Sequence, residues 1–181
     1  MADEGLQDRF MVLLERHQKI VFKVAGMYCW RPDDRRDLEQ EITAQLWRSF
    51  PSYDSTRVFS TWMYRIALNV AISYVRHAGI HARRFVSLEA QDVDPIDPHA
   101  GPDQADEREH DERVRALNGF IAGLDGLNRA LLLLCLEEHR YRDIAEVLGI
   151  SETNVATKVS RLKDRMRKTM GPGKGALHGT R

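Results

Sequence analysis

YRDIAEVLGISETNVATKVSRLKDRMRK, running from Tyr141 to Lys168, carries the sharpest local signal in the chain. Ile144 and Leu148, then Ile150, then Val155, Val159, Leu162 and Met166 form two helical stripes broken at Gly149, which is helix-turn-helix spacing. Ala145 is small where two helices must cross closely, Gly149 permits positive φ in the turn, and Val155 wedges between the helices. Ser151 is placed to cap the second helix. In this reading the second helix enters a DNA major groove, bringing Ser151, Glu152, Thr153, Asn154, Thr157, Lys158 and Arg161 to the interface. Asparagine pairs with adenine, arginine or lysine with guanine, and glutamate accepts from cytosine. The basic run Lys158, Arg161, Lys163, Arg165, Arg167, Lys168 is broken among charges only by Asp164. Alone it would be a solvated face; after a recognition helix it reads as a set of phosphate anchors.

Upstream, Val114, Leu117, Ile121 and Leu124 predict one helix and a second runs from about Leu127 to Glu138. The N-terminal half is helical too. Phe10, Leu13, Leu14, Ile20, Val21, Val24 and Met27 recur at spacings of three and four, predicting one long helix from Leu6 to Cys29. Pro32 followed by Asp33 and Asp34 is a helix start, and Leu38, Ile42 and Leu46 form the stripe behind it. Pro51 to Phe59 is a break; Ser60 then caps a helix carrying Trp62, Ile66, Val70 and Tyr74, which Gly79 is expected to stop. No strand-like alternation competes in this half.

The 27 basic and 27 acidic residues cancel, but unevenly along the chain. Residues 1–85 carry +3, residues 86–112 carry −9 and residues 113–181 carry +6. The middle stretch holds Pro95, Pro98 and Pro102 and few large apolar residues, so it buries too little surface to offset its ordering entropy. The expected fold is all-α: a helical domain over 1–85, a flexible acidic linker over 86–112, a helix-turn-helix domain over 113–170 and a Gly-rich tail over 171–181.

Neutral net charge excludes a bulk electrostatic binder. The longest apolar run, Ala130 to Leu136, is seven residues, against roughly 20 for a membrane span, and the N-terminus lacks a signal-peptide pattern. The expected location is the cytoplasm, with no membrane partner. Cys29 and Cys135 lie apart in apolar patterns and read as buried thiols; a redox or zinc sensor would require folding to unite them. His77 and His81 are spaced i, i+4 but flank Gly79 with no suitable carboxylate. No phosphate-binding loop, hydrolytic site or metal-ligand set is visible, so neither catalysis nor a cofactor is expected.

DLEQEITAQLW (Asp37–Trp47), FSTWMYRIALNVAISYVR (Phe59–Arg76) and YRDIAEVLGISETNVATKVSRLK together resemble bacterial RNA polymerase sigma factors of the small, two-domain extracytoplasmic-function group, over about Phe10 to Lys168. The resemblance implies that the first domain binds the β′ clamp of core RNA polymerase and the promoter −10 element. The second would bind the −35 element and the β flap. It assigns Asp37, Leu38, Gln40 and Glu41 to clamp binding, with Trp47 mainly core. Phe59, Ser60 and Thr61 fall where relatives take a flipped non-template base, and Asn69 where they help read it. Tyr64, Arg65 and Arg76 belong to the same interleaving of aromatic and basic residues, suited to stacked bases and phosphates. Strand opening would be driven by binding energy, since capture of an extruded base offsets a few kcal/mol of unstacking. In relatives the acidic connector threads toward the active-site and RNA-exit channels; a passive tether explains the composition almost equally well.

This chain departs from many relatives at Arg35 and Arg36, where two positive charges would oppose a basic clamp surface. Conditional binding is one expectation, through an anti-sigma factor or through a kinase that modifies a hydroxyl in Ser52–Thr61 whose charge then pairs with those arginines. Thr153, Asn154 and Ala156 also differ from the commoner Gly, Thr and Lys, so promoter bases do not carry over. The competing function is a stand-alone helix-turn-helix regulator, whose N-terminal half should hold a ligand pocket or receiver.

Overall fold

The computed structural model describes residues 2–85 and 105–170. Most of the acidic stretch and the whole Gly-rich tail lie outside the described residues. Within them every regular element is helical: α1 (Ala2–His17), α2 (Lys19–Tyr28), α3 (Pro32–Ser49), a 3-10 turn at Phe50–Ser52, α4 (Phe59–Phe85), α5 (Ala105–Ala122), α6 (Gly126–Leu136), α7 (Tyr141–Leu148) and α8 (Glu152–Met170).

The first half is built on α2, α3 and α4. Pro32 sits in the first turn of α3 with Asp33 and Asp34, where a missing N–H costs nothing and carboxylates meet the positive end of the helix dipole. Leu38, Ile42 and Leu46 of α3 are wholly buried, as are Met63, Ala67 and Ala71 of α4 and Val24 and Ala25 of α2. Burial of each large side chain stabilises by about 1.5–3 kcal/mol. The exposed pairs Arg31–Asp34 (4.0 Å) and Arg36–Asp33 (3.8 Å) are each worth about 0.5 kcal/mol or less. Packing therefore fixes α3.

Three expectations for this half need correction. The predicted long N-terminal helix is two helices, broken at Gln18, whose carbonyl accepts from both Val21 N (3.0 Å) and Phe22 N (3.4 Å). That tightened turn re-aims the chain while leaving the three-and-four spacing intact, so the stripe gives no sign of it. Ser60 lies inside the first turn of α4, which begins at Phe59. Gly79 does not stop that helix, which continues to Phe85; an interior glycine weakens a helix by about 1 kcal/mol and need not end it.

In the second half, Asp125 caps α6: its carboxylate accepts from Asn128 N at 2.8 Å and from the Asn128 amide at 2.6 Å. The turn after α6 holds Glu138, a non-glycine residue with φ 58°, and His139 N returns to Leu134 O at 3.1 Å. Leu131 and Leu134 of α6, Ile144 of α7 and Val155 of α8 are fully buried.

The two domains are in contact. α2 and α4 pack against α6 and α7, and the buried residues of both form one continuous core. The Tyr28 hydroxyl donates to Gly126 O at 2.5 Å, Lys23 pairs with Glu137, and the Tyr64 and His139 rings meet edge to face at 5.1 Å. The two helical domains of the expected fold therefore also meet directly, with Tyr28, Tyr64 and Ile72 of the first facing Gly126 and His139 of the second.

Candidate nucleic-acid and partner interface

The helix-turn-helix is realised as its residues dictate. Gly149 adopts φ 67°, ψ 33° at the end of α7, and its N–H bonds the Ala145 carbonyl. This left-handed conformation is strained for a side chain with Cβ. Ile150 N also returns to Ala145 O (3.1 Å), and Ser151 Oγ accepts from Asn154 N (3.2 Å), capping α8. Val155 is fully buried and Ala145 nearly so, holding α7 against α8. The opposite face of α8 presents Ser151, Glu152, Thr153, Asn154, Thr157 and Arg161 to solvent, with Lys158 half-buried beside them.

The basic run divides. Arg165 donates to Gly123 O at 2.8 Å and lies over the Phe120 ring at 5.9 Å, tying α8 to the end of α5. Arg167 pairs with Asp164 at 2.8 Å. Lys158 and Arg161 have no such partner among the described residues. The run is thus part structural and part available, where the sequence suggested a uniform row of anchors.

On α3 the expected contacts separate onto two faces. Asp37, Gln40 and Glu41 are exposed, but Leu38 has no solvent exposure. Leu38 is therefore corrected from a contact residue to the core: it sits four residues before Ile42 on the packed stripe, and no partner can reach it. Gln40 lines an open groove of about 1170 Å³ between α3 and the N-terminal helices, with Thr43, Ala44 and Trp47 opposite Met11 and Phe22. Met11, Val12, Phe22 and Trp47 are all exposed apolar residues around this groove. Trp47, expected mainly in the core, is 36% exposed and packs its ring on Phe10 at 5.1 Å. The spacing 40, 43, 44, 47 was the sequence signal for it, since i, i+3, i+4, i+7 shares one helix face.

Glu41 faces the other way, into a pocket of about 470 Å³ that α3 shares with α4. Gln45, Asn69, Ser73, Tyr74 and His77 line it over a floor of Ile66 and Val70. Arg48 ties the two α3 side chains together, 3.7 Å from the Glu41 carboxylate and donating to Gln45 Oε1 at 2.9 Å. Asn69, Arg65 and Arg76 are exposed, Ser60 and Thr61 half-buried.

Phe59 and Tyr64 do not offer free stacking faces. Phe59 is buried among His17, Tyr53 and Trp62, each ring centre 5.3 Å away. Tyr64 is buried against His139, and loss of water there pushes its hydroxyl up to about 12. Both are corrected as contacts, because their rings are spent on packing, Phe59 within the first region and Tyr64 against His139 of the second. Tyr53, which the sequence reading passed over, is the half-exposed member of the aromatic cluster, and its hydroxyl donates to Arg57 O at 2.6 Å. Its loop is closed by Asp54, whose carboxyl is held below the usual range by the Thr56 hydroxyl and backbone N–H.

Arg35 turns back toward the Cys29 carbonyl (3.4 Å), whereas Arg36 lines the groove; the two expected regulatory arginines thus serve different surfaces. Cys29 is buried and Cys135 half-buried rather than fully so; both are free thiols, pushed up chiefly by desolvation. Among the described residues no helix is long and apolar enough to cross a membrane.

Two helical regions, the second a helix-turn-helix with an open reading face and the first with a helix groove and a polar pocket, define a two-part DNA-binding transcription factor. The family profile of sigma-70 region 2 matches residues 13–79, and that of sigma-70 region 4 matches residues 115–166. The chain is 28% identical over 176 residues to the ECF RNA polymerase sigma-E factor of Haemophilus influenzae, covering 94% of this chain and 92% of that one. It is 23% identical over 177 residues to the ECF RNA polymerase sigma factor SigW of Bacillus subtilis, covering 92% and 91%. Its fold is similar to that of the sigma factor RpoE solved with the anti-sigma factor NepR from Bartonella quintana (TM-score 0.61, 17% identity, 94% and 99% coverage). It is also similar to CnrH solved with the cytosolic domain of CnrY (TM-score 0.60, 19% identity, 90% and 87% coverage). The chain belongs to the sigma-70 family, in its extracytoplasmic-function group, and is a sigma factor that directs RNA polymerase to promoters. The stand-alone regulator finds no support, because the N-terminal half matches region 2.

Proposed function

We propose that α3 and α4 hold core polymerase and the −10 element on opposite sides, while α8 reads the −35 element. The groove lined by Gln40 and Trp47 takes the clamp: it is apolar at its centre and carries Glu39 and Glu15 as acidic partners for a basic helix pair, with Arg36 as the opposing charge. The pocket lined by Asn69 takes an extruded base. Its volume of about 470 Å³ falls in the ordinary range for small-ligand sites, and carboxylate, amide and hydroxyl groups line it over an apolar floor. Arg65 and Arg76 flank it as phosphate contacts. Opening follows from capture of the base and needs no hydrolysis, so the chain acts by binding and not as an enzyme.

The observation that carries this reading is the face of α8. Glu152, Thr153, Asn154 and Arg161 stand exposed on a capped helix whose other face is locked by Val155. A cytoplasmic location accords with the partners, core polymerase and promoter DNA. By likeness to the two solved sigma factors, an anti-sigma protein is a further partner; a kinase acting in Ser52–Thr61 is the second route to conditional activity.

Run-off transcription with purified core polymerase over a promoter library tests the reading. Transcripts restricted to promoters sharing two spaced elements are expected. Absence of both transcript and association with core polymerase in every modification state would overturn it.

A further inference from the structure

We infer that α8 reads thymine at the centre of the −35 element through its C5 methyl group, with Thr157 as the residue that makes the contact. This rests on the proposal above that α8 enters the −35 major groove. Thr153, Ala156, Thr157 and Ser160 recur at i, i+3, i+4 and i+7 along α8, which places them on one helix face. All four are exposed, while Val155, Val159 and Leu162 hold the side of α8 that packs on the core. No side chain of the four carries more than two heavy atoms beyond Cβ, so this low face lets the helix approach base edges closely. Threonine and serine are also weaker helix formers than the alanine, lysine or glutamate that serve an ordinary solvated face. From Thr153 to Ser160 the helix advances about 10 Å, which matches about three base-pair steps at 3.4 Å each.

The middle of that face is apolar where its residue types could have made it polar. Thr157 donates its hydroxyl to the Thr153 carbonyl at 2.9 Å, so its donor is spent on the helix and its methyl is left for a partner. Ala156 sets a second methyl beside it. Only thymine presents a methyl group in the major groove; adenine, guanine and cytosine present hydrogen-bonding groups there, which a methyl face would leave unpaired. The polar readers stand to one side. Asn154 and Arg161 flank Thr157 at i−3 and i+4, and their amide and guanidinium suit adenine and guanine. Asp164, one turn beyond Ser160 and paired with Arg167 at 2.8 Å, adds a carboxylate that opposes the charge of DNA. Methyl reading is thereby confined to the turns before it.

The methyl can be removed from either partner, which supplies the test. Holoenzyme assembled from the full-length chain and core polymerase selects from a library of promoter duplexes randomised at both elements. An enriched upstream element with thymine at one or more of three adjacent central positions is expected. The selected duplex is then made with deoxyuridine at each such position, which deletes the methyl and leaves every hydrogen-bonding group in place. Binding should fall about fourfold at the contacted position, the equivalent of one buried methyl. Thr157→Ser keeps the hydroxyl and loses the methyl, so it should bind the two duplexes alike. Thr157→Val loses the hydroxyl and keeps a methyl, so it should still discriminate. An upstream element without central thymine, equal binding of thymine and deoxyuridine duplexes by the unsubstituted chain, or undiminished discrimination in Thr157→Ser overturns the proposal. A selected pool with no upstream element at all would instead strike the assignment of α8 to the −35 duplex.

Discussion

α8 and α4 are both proposed to read promoter DNA, yet one holds its readers in the open and the other keeps part of them packed. On α8 the core residues Val155, Val159 and Leu162 occupy one stripe, and the readers lie on the rest of the surface. On α4 the stripe is broader. Met63, Tyr64, Ala67, Leu68 and Ala71 are buried against α2, α3 and the second region, leaving Arg65, Asn69 and Arg76 outside. A duplex reader needs a rigid convex face that docks into an existing groove. A melting surface needs pockets for a base that leaves its stack, and pockets require neighbouring elements. The difference in burial is what those two tasks demand.

The sharpest way to break the contrast is to collapse the α8 scaffold. Ile144→Ala should lower stability by about 2–5 kcal/mol through cavity formation, read as a fall in urea midpoint, whereas Val12→Ala at the exposed groove rim should stay within about 0.5 kcal/mol. Next in size, Arg161→Ala should weaken −35 duplex binding by about 1–3 kcal/mol. A salt titration then distinguishes a base contact, which relaxes sequence preference, from a phosphate contact, which lowers the salt slope. On the α3 side, Trp47→Ala should weaken core-polymerase binding by about 2 kcal/mol if it anchors the groove, measured by competition against unsubstituted chain. Glu138→Gly should raise stability by about 1 kcal/mol, because φ 58° is free for glycine and strained for glutamate.

The smallest effect expected is on pH. Burial holds the His139 imidazole below its ordinary 6.5, with Lys23 adding to the lowering, against the upward pull of Asp143 and Glu137. The folded chain then binds fewer protons than the unfolded one at that site. The stability this group contributes is fully present above pH 6.5 and is lost as pH falls below it. His139→Gln should flatten that dependence in urea midpoints measured across pH.

What could be read in advance follows the same division. Helix-turn-helix geometry is local: Ala145, Gly149, Ser151 and Val155 lie within eleven residues, and each has one steric or hydrogen-bonding reason to be there. The α3 start at Pro32 was legible for the same cause. Leu38 was misplaced because an apolar residue among acidic ones suggests docking as readily as burial, and only the packing of α4 decides between them. Tyr64 and Phe59 were misplaced because aromatic and basic interleaving describes a surface for bases and an aromatic core equally well. The pairing of Tyr28 with Gly126 spans 98 residues, and no local pattern could announce it. Glu138 escaped notice because it takes the left-handed turn after α6 without being glycine.

The division of labour is tested most directly by permanganate footprinting of open complexes formed with core polymerase, alongside protection of the −35 duplex. Asn69→Ala should keep −35 protection while losing most thymine reactivity near the start site, and Arg161→Ala should lose both together. Equal loss of −35 protection in the two variants, or unchanged thymine reactivity in Asn69→Ala, would contradict the account.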